Sequence, residues 1–365
     1  MRISIIGPAY PLRGGIAHHV YWIRQQLTAR HHTVQVVSFR KLYPGMFFPG
    51  TTELDSSRLK FDAGALSILT PLNPATWLRA FKLVKSFSPD VVVFEWWQPF
   101  FAPLVGTLAR WFRRSGLRCL IECHNIFSHE GIPLAGLLAR FALSAADHLI
   151  THSASDREKL LALVPGKTVS VSPLPTIDEF STPGAGTREG RNILFFGKVR
   201  KYKGLALLLA AMPKVLSRIE CELLIVGEFY DSIEKYQQLV RRLGIEKHVR
   251  IDNRYVRNED VPAIFDEADV LVLPYLSATQ SGVARIALSN RLPIIASRTG
   301  GLSESVIEDF NGMLFPPGDS SALADRIIEY FIADRGPVFA KNMLASSDTD
   351  RCTIIETIEE LARYD

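Results

Sequence analysis

Short apolar runs rich in β-branched residues alternate along the chain with stretches in which apolar residues recur at helical spacing. In the first half the runs cover Ile3 to Ile6, Thr33 to Ser38, Val91 to Phe94 and Leu120 to Cys123, and a helical pattern covers Ile16 to Leu27. Buried strands that alternate with amphipathic helices are typical of parallel sheets, because parallel strands need a long crossover. The pattern predicts an α/β protein with a doubly wound sheet.

The alternation restarts after a passage rich in proline and glycine, Pro173 to Arg191. We predict an N-terminal domain over 1–178, a linker over 179–191, a second domain over 192–345, and a C-terminal helix within 346–365 that packs back toward the first domain. Two doubly wound domains would place the carboxyl ends of their sheets on a shared cleft, where ligands of such folds bind. The elements predicted beyond the linker are Asn192–Phe196, Gly204–Leu216, Glu222–Val226, Ser232–Leu243, Val270–Leu273 and Pro293–Ala296.

Composition narrows the class of protein. A length of 365 residues suits two domains, and 47% apolar with 22% charged residues are ordinary values for a folded globular chain. The four cysteines are scattered without a second close pair to complete a zinc site, so we expect reduced, buried thiols. Only Arg2 precedes the first apolar run, and Glu95 interrupts the longest one, Val91–Phe112. We therefore expect a cytoplasmic chain without a secretion signal or a membrane-spanning helix.

Charge is divided unevenly along the chain. Residues 1–176 hold 19 lysines and arginines against 10 acids, and the remainder holds 23 against 28. A basic first half suits an anionic membrane surface or a phosphorylated acceptor, and equally a solvated surface. The aromatic run Phe94–Phe101 could dock at a membrane interface or lie in the core. We expect no nucleic-acid partner.

A basic turn follows the first predicted strand of the second domain. Lys198, Arg200, Lys201 and Lys203 lie between that strand and the next helix. Cations crowded in this way repel one another unless an anion joins them. Together with helix N-terminal amides they can neutralise a diphosphate and the charge that develops on it as a leaving group. The alternative is a solvated charged loop.

Polar side chains precede a later helix of the same domain. They are Thr279, Gln280 and Ser281, followed by Gly282. These residues either only cap the helix or form with the glycine a nest for a phosphate or sugar. Glu304 follows the next glycine turn and could cap its own helix or accept a sugar hydroxyl.

Two further features lie in the first domain. Gly14 and Gly15 join the first strand to the first helix, where they either let amides approach a phosphate or sugar or only relieve a tight turn. Their spacing does not match a dinucleotide fingerprint, which disfavours a nicotinamide enzyme. His124 follows a predicted strand and is either structural or a sugar-contacting or acid–base residue. Asp348–Thr349–Asp350 is interpreted as a helix cap rather than a metal-binding pair.

Taken together, several of these motifs resemble the family-4 retaining glycosyltransferases, also called glycosyl transferases group 1, which have the GT-B fold. The resemblance covers nearly the whole chain, and it is nearest to a bacterial subgroup with Ala-Thr-Gln-Ser-Gly, here Ala278–Gly282, in place of the usual glutamate loop. It implies two Rossmann-like doubly wound domains that face a central cleft, the first for the acceptor and the second for the nucleotide-sugar donor. The motifs are Gly14-Gly15, Cys-His-Asn at 123–125, His-Glu at 129–130, the turn Gly197–Gly204 and Gly-Gly-Leu-Ser-Glu at 300–304.

The resemblance also implies roles for individual residues. Lys203 and Arg200 would hold the donor diphosphate, with Lys198 where the family more often has arginine, while Gly15 would face the donor phosphate and His124 the transferred sugar. The family's reaction keeps the anomeric configuration, needs no metal or other cofactor, and uses the leaving phosphate to accept the acceptor's proton. The candidate site thus comprises His124, Arg200 and Lys203 as catalytic residues and Gly14, Gly15, Lys198, Thr279, Gln280, Ser281, Gly282 and Glu304 as donor-binding residues.

One departure from the family keeps a second interpretation open. Most members carry two glutamates eight positions apart before the strand Pro293–Ala296, and here those positions hold Ala278 and Ile286. Thr279 or Gln280 could replace the first glutamate. We expect a hexosyltransferase that uses a nucleotide sugar and a saccharide or lipid-linked acceptor in glycan or polysaccharide synthesis, with peripheral contact to an anionic inner membrane face left open. The alternative is a catalytically inactive GT-B scaffold or binding protein; an epimerase would need acid–base carboxylates that the sequence does not supply.

Overall fold

The computed structural model describes residues 1–43, 52–127, 134–181, 190–345 and 353–363. The chain divides into two compact units. Unit 1 contains Met1–Ser56, Lys60–Pro173 and the C-terminal helix, and unit 2 contains Ser57–Leu59 and Leu174–Arg351. Most of the predicted linker, the predicted cap at Asp348–Asp350, and His129, Glu130 and Cys352 lie outside the described residues.

Unit 1 is built on seven parallel strands in the order β3-β2-β1-β4-β5-β6-β7. The central strand β4 is buried along its whole length, as expected for a parallel sheet that is covered on both faces. The strands are β1 (Arg2–Ile6), β2 (Thr33–Phe39), β3 (Leu66–Leu69), β4 (Val91–Trp96), β5 (Arg118–Cys123), β6 (His148–Thr151) and β7 (Thr168–Val171). The helices are α1 (Gly15–Ala29), α2 (Pro74–Phe87), α3 (Ala102–Arg114), α4 (Ala135–Leu143) and α5 (Ala154–Leu163).

Unit 2 is built on six parallel strands in the order β10-β9-β8-β11-β12-β13. The strands are β8 (Asn192–Phe196), β9 (Glu222–Val226), β10 (Val249–Asp252), β11 (Val270–Leu273), β12 (Ile294–Ser297) and β13 (Gly312–Phe315). The helices are α6 (Leu205–Leu216), α7 (Ile233–Leu243), α8 (Val261–Glu267), α9 (Gly282–Ser289), α10 (Leu302–Ser305), α11 (Ser320–Ile332) and α12 (Arg335–Ala345).

The last helix, α13 (Thr353–Arg363), belongs to the core of unit 1. Ile354, Ile355 and Ile358 are at most 2% exposed and lie in one cluster with residues of β1 and β4. At the helix surface the Glu359 carboxylate accepts hydrogen bonds from His32 Nε2, at 2.8 Å, and from Arg30, at 3.2 Å. Burial of three isoleucines thus joins the end of the sequence to its beginning.

Several expectations from composition can be compared with the structure. Phe94, Trp96 and Phe101 of the aromatic run lie in the core, at most 1% exposed, so these three rings offer nothing to a membrane. Trp97 and Phe100 are partly buried and pack against that core. The cysteines at 119, 123 and 221 are free and buried, as predicted. Among the helices of the described residues, none has the length and apolarity needed to cross a bilayer.

The strand order of each unit fixes where ligands are expected. The order reverses between β1 and β4 in unit 1 and between β8 and β11 in unit 2, and doubly wound sheets bind ligands at the carboxyl ends of the strands beside such a reversal. The loops that follow these four strands carry most of the residues singled out from the sequence.

Candidate functional site

The turn after β8 places Lys203 beside the strand end. Gly197 has φ 100°, a backbone conformation that favours glycine, and a Cβ on it would lie 3.3 Å from Lys203 Nζ. The same Cβ position would lie 3.3 Å from Cγ2 of Val283, which is in the first turn of α9. The ammonium group and the N-terminus of α9 therefore flank the same glycine.

Lys203 is a buried cation, with 8% of its surface exposed. Its Nζ lies 5.3 Å from the centre of the Tyr275 ring. Burial lowers the pKa of Lys203 below 10.5; Tyr202 opposes this effect and the nearby charge of Arg200 adds to it. Within the described part of the chain no carboxylate lies at ion-pair distance from Lys203. A buried ammonium without a carboxylate is costly, and an anionic ligand would offset that cost.

Two more cations of this turn share one aromatic ring. The Arg200 guanidinium lies 4.7 Å and the Lys198 ammonium 5.6 Å from the centre of the Tyr230 ring. Contact with an aromatic face stabilises a cation at a modest energy. The predicted cluster of Lys198, Arg200 and Lys203 is thus ordered at the carboxyl end of β8.

The loop after β11 packs directly against this turn. The amide of Leu276 donates a hydrogen bond to the carbonyl of Tyr202 at 2.7 Å, and a Cβ on Gly204 would lie 1.9 Å from the carbonyl oxygen of Pro274. Gly204 also has φ 71°, so both the close approach and the backbone conformation require glycine.

Ser281 and Gly282 begin helix α9. The Ser281 side chain accepts a hydrogen bond from the amide of Ala284, which is N-cap geometry, so the capping interpretation of Ser281 is observed. Gly282 is exposed, and a Cβ on it would meet no atom within 4 Å. Packing within the protein therefore does not account for a glycine at 282.

The turn after β12 completes this side of unit 2. A Cβ on Gly300 would lie 1.7 Å from the carbonyl oxygen of Ala278, and the amide of Gly301 donates to the carbonyl of Thr279 at 2.9 Å. Glu304 is exposed in α10. The structure thus brings together three loops of unit 2: the basic turn, the segment Thr279–Gly282, and the glycine turn that leads to Glu304.

In unit 1 the predicted glycines lie at the N-terminus of α1. Gly14 has φ 127° and is the N-cap residue, so its conformation favours glycine. A Cβ on Gly15 would meet no atom within 4 Å, so protein packing does not require glycine there. No acidic residue lies in the first turn of α1, so no carboxylate of that turn competes with an anionic ligand for the positive end of the helix dipole.

His124 follows β5 and is buried within a polar cluster. Its Nε2 lies 2.6 Å from Glu95 Oε2, and its Nδ1 lies 3.2 Å from His152 Nε2. His19 Nε2 lies 2.7 Å from Glu122 Oε1. Both ring nitrogens of His124 thus contact protein groups. Burial, and then the like charges of His152 and His19, lower its pKa well below 6.5.

Sequence reasoning missed the partners of His124. Glu95 is the only charged residue of β4, and Glu122 is the only acid of β5, in which Arg118 is the first residue. An acid inside a strand that is buried on both faces is the signal that could have revealed them. His19 and His152 come from α1 and from the end of β6, and no local pattern distinguishes them.

Comparisons with known families agree with the division into two units. Residues 14–175 match the family described as glycosyl transferase 4-like domain, and residues 190–332 match glycosyl transferases group 1. A phosphatidyl-myo-inositol mannosyltransferase of Mycobacterium leprae is 23% identical over 338 residues, which are 90% of this chain and 87% of that protein. An uncharacterised glycosyltransferase of Methanocaldococcus jannaschii is 30% identical over 37% of this chain, and a D-inositol 3-phosphate glycosyltransferase of Corynebacterium diphtheriae 25% over 56%. The chain spans only 35% and 50% of the lengths of these last two relatives.

Solved structures show the same architecture. Sucrose-phosphate synthase from Thermosynechococcus elongatus superposes with a TM-score of 0.76 at 19% identity, covering 99% of this chain and 98% of that structure. HepE of Anabaena in complex with UDP and glucose superposes with a TM-score of 0.73 at 17% identity, with the same coverage.

Proposed function

The chain belongs to the family-4, group 1 glycosyltransferases and has the GT-B fold predicted from its sequence, and on that premise we propose that it transfers a sugar from a nucleoside-diphosphate sugar to a saccharide or lipid-linked acceptor. The observation that carries this proposal is the buried ammonium of Lys203, beside Arg200 and the N-terminus of α9, at a site in unit 2 suited to a diphosphate.

In the proposed reaction the basic turn stabilises the leaving group. The bond between the anomeric carbon and the diphosphate oxygen breaks, and negative charge grows on the phosphate that Lys203 and Arg200 contact. The acceptor oxygen bonds to the anomeric carbon on the same face, and its proton passes to the departing phosphate oxygen, so the configuration is retained. Because fixed cations supply the positive charge, the transfer needs no metal ion at the diphosphate.

Sugar and ribose recognition would use other side chains than in most of the family. Ala278 and Ile286, which stand where most members have glutamates, are only 9% and 8% exposed and offer no hydrogen-bonding side chain. We assign the hydroxyl contacts to Thr279, Gln280 and Glu304, which lie on the loops that meet beside Lys203.

The nature of the acceptor is suggested by the relatives. One is a mannosyltransferase of phosphatidyl-myo-inositol and another a glycosyltransferase of D-inositol 3-phosphate, so a phosphorylated or lipid-linked polyol is a suitable first acceptor. The excess of basic residues in the first half of the chain would favour such an anionic acceptor.

A donor panel tests the proposal. Purified protein is incubated with UDP-, GDP- and ADP-sugars and candidate acceptors, without added metal, and release of the nucleoside diphosphate is measured. We expect turnover with one donor, a strong loss in Lys203→Ala, and little change in Lys201→Ala, since Lys201 is an exposed cation of the same turn. Nucleotide binding without turnover for any pair would contradict the proposal and favour the inactive scaffold.

A further inference from the structure

A buried polar cluster in unit 1 joins His124, the predicted sugar-contacting residue, to three side chains that have no role in the proposed transfer. His19, Glu95, Glu122 and His124 each offer one ligand atom, and these four atoms all lie within 4.8 Å of one another. Exposure of the four residues ranges from 0% to 9%. We propose that they form a binding site for one divalent first-row transition-metal ion, with His152 as a supporting residue.

The carboxyl groups of the cluster lack N–H or hydroxyl donors for half of their oxygens. Glu95 Oε1 and Glu122 Oε2 are buried and have no N–H or hydroxyl donor, and the carboxyl groups of Glu95 and Glu122 interact with each other. Among the described residues only imidazoles lie at ion-pair distance from the two carboxyl groups, and no lysine or arginine does. A buried carboxylate oxygen without a partner costs free energy, and a metal ion is a partner that reaches both oxygens at once.

The hydrogen bonds of His152 assign a lone pair to His124. The backbone carbonyl oxygen of Ser172 lies 2.8 Å from His152 Nδ1. Because a carbonyl oxygen can only accept, Nδ1 is the donor and carries the hydrogen. In neutral His152, Nε2 then accepts from Nδ1–H of His124 at 3.2 Å. Neutral His124 is left with a lone pair on Nε2, directed at Glu95 and the interior of the cluster. A ligating histidine typically has this arrangement, with its other nitrogen donating to a second group.

Charge balance favours a cation at this site. The two carboxyl groups are at most 1% exposed, and among the described residues no lysine or arginine lies at ion-pair distance from them. A divalent cation balances two carboxylates, and its binding releases any protons that its ligands hold.

The donor set points to a class of ion. Two imidazole nitrogens with two carboxylate oxygens suit zinc, manganese or iron(II), whereas magnesium and calcium prefer oxygen ligands alone. Cys123 is not among the residues whose ligand atoms lie together, and we assign it no ligand role. Gly7 makes room for the site, because a Cβ there would lie 2.4 Å from Cγ of Glu95.

The full-length protein tests the site directly. After dialysis against a chelator, it is titrated with zinc chloride and its metal content is measured by mass spectrometry, with magnesium chloride in parallel. We expect about one tightly held zinc ion per chain and no retained magnesium. Bound cobalt(II) should show the visible absorption of a site with nitrogen ligands.

Isosteric variants identify the ligands. Glu95→Gln and Glu122→Gln keep the size and shape of the side chains, so the metal-free fold should persist, and circular dichroism checks this. Zinc retention should fall by at least tenfold in both variants and stay unchanged in His148→Gln, a half-buried histidine of β6 outside the cluster. Failure of the wild type to retain zinc would overturn the proposal, and so would retention that neither glutamine variant reduces.

Discussion

At the scale of single residues, burial separates the cations of the basic turn. Lys201 is exposed and can remain hydrated, whereas Lys203 is buried beside Arg200 without a carboxylate among the described residues. Water screens the charge of an exposed lysine, so the contacts of that lysine contribute little free energy. A desolvated ammonium, in contrast, interacts strongly with an anion. We therefore assign the diphosphate contact to Lys203 and use Lys201 as the control.

The glycines near this site differ in what they do for the fold. Gly204→Ala should lower the free energy of unfolding by more than about 2 kcal/mol, because the new Cβ would meet the Pro274 carbonyl and φ is positive. Gly282→Ala should leave it unchanged or slightly raise it, because the Cβ meets open space at the start of a helix. Urea denaturation measures both values.

The second substitution also probes ligand contact. If the backbone at 282 approaches the donor, Gly282→Ala should weaken nucleotide binding while the protein keeps its stability. Equal loss of stability in both variants would show that the space around Gly282 is not as open as described.

At this scale, a group of residues could be predicted from the sequence when its members lie close together along the chain. The basic turn could be predicted because its four cations, the strand before it and the helix after it are contiguous. The cluster around His124 could not, because its members come from α1, β4, β5 and the end of β6, and only the sheet order brings them together. The role of Ser281 as a helix cap was equally local and was predicted as one alternative.

At the scale of elements, the hydrophobic pattern predicted the central strands of both units and the helices α1, α6 and α7, but not the equally long helices α2, α3 and α11. The boundaries predicted for β8, β9 and β11 agree with the structure, since these strands are almost entirely apolar. The edge strands β3, β7, β10 and β13 and the inner strand β6 were not predicted. Each is only four residues long, and β3 and β10 are also half-exposed and lack a continuous apolar run.

The contact of α13 with α1 should make stability depend on pH. Burial raises the pKa of Glu359, but the hydrogen bond from His32 and the charges of Arg30, His32 and Arg363 outweigh it, and the net pKa lies below 4.5. A lowered pKa means that the ionised form stabilises the fold at neutral pH and that this contribution disappears as the pH falls through the folded-state value.

Glu359→Gln tests this dependence. At pH 7 we expect the free energy of unfolding to fall by about 1 kcal/mol. The effect is small because Arg30 is exposed and water screens its charge. The difference from the wild type should shrink as the pH falls below 4.5, which urea denaturation across that range measures. A difference that stayed constant with pH would mean that the charge of Glu359 contributes nothing.

At the scale of the whole molecule, the two units have separate cores and the chain crosses from one to the other. Unit 1 needs the end of the sequence, because α13 buries three isoleucines in its core, whereas unit 2 carries the proposed nucleotide site. A truncation before residue 353 would therefore damage the first unit rather than the second.

Calorimetry can separate the units. Ile355→Ala removes a fully buried side chain and should lower the free energy of unfolding of unit 1 by about 2–5 kcal/mol. We expect two unfolding transitions, of which this substitution lowers one and added nucleoside diphosphate raises the other. If both changes moved the same transition, the assignment of α13 and the nucleotide site to different units would fail.

The central claim is that unit 2 holds a nucleoside diphosphate through the buried ammonium of Lys203. Isothermal titration calorimetry of UDP and GDP against the wild type, Lys203→Ala and Lys201→Ala measures this most directly. Loss of a charge-assisted contact predicts affinity roughly 10- to 100-fold weaker for Lys203→Ala and nearly unchanged for Lys201→Ala. Equal affinity in all three proteins, with the nucleotide bound, would contradict the account.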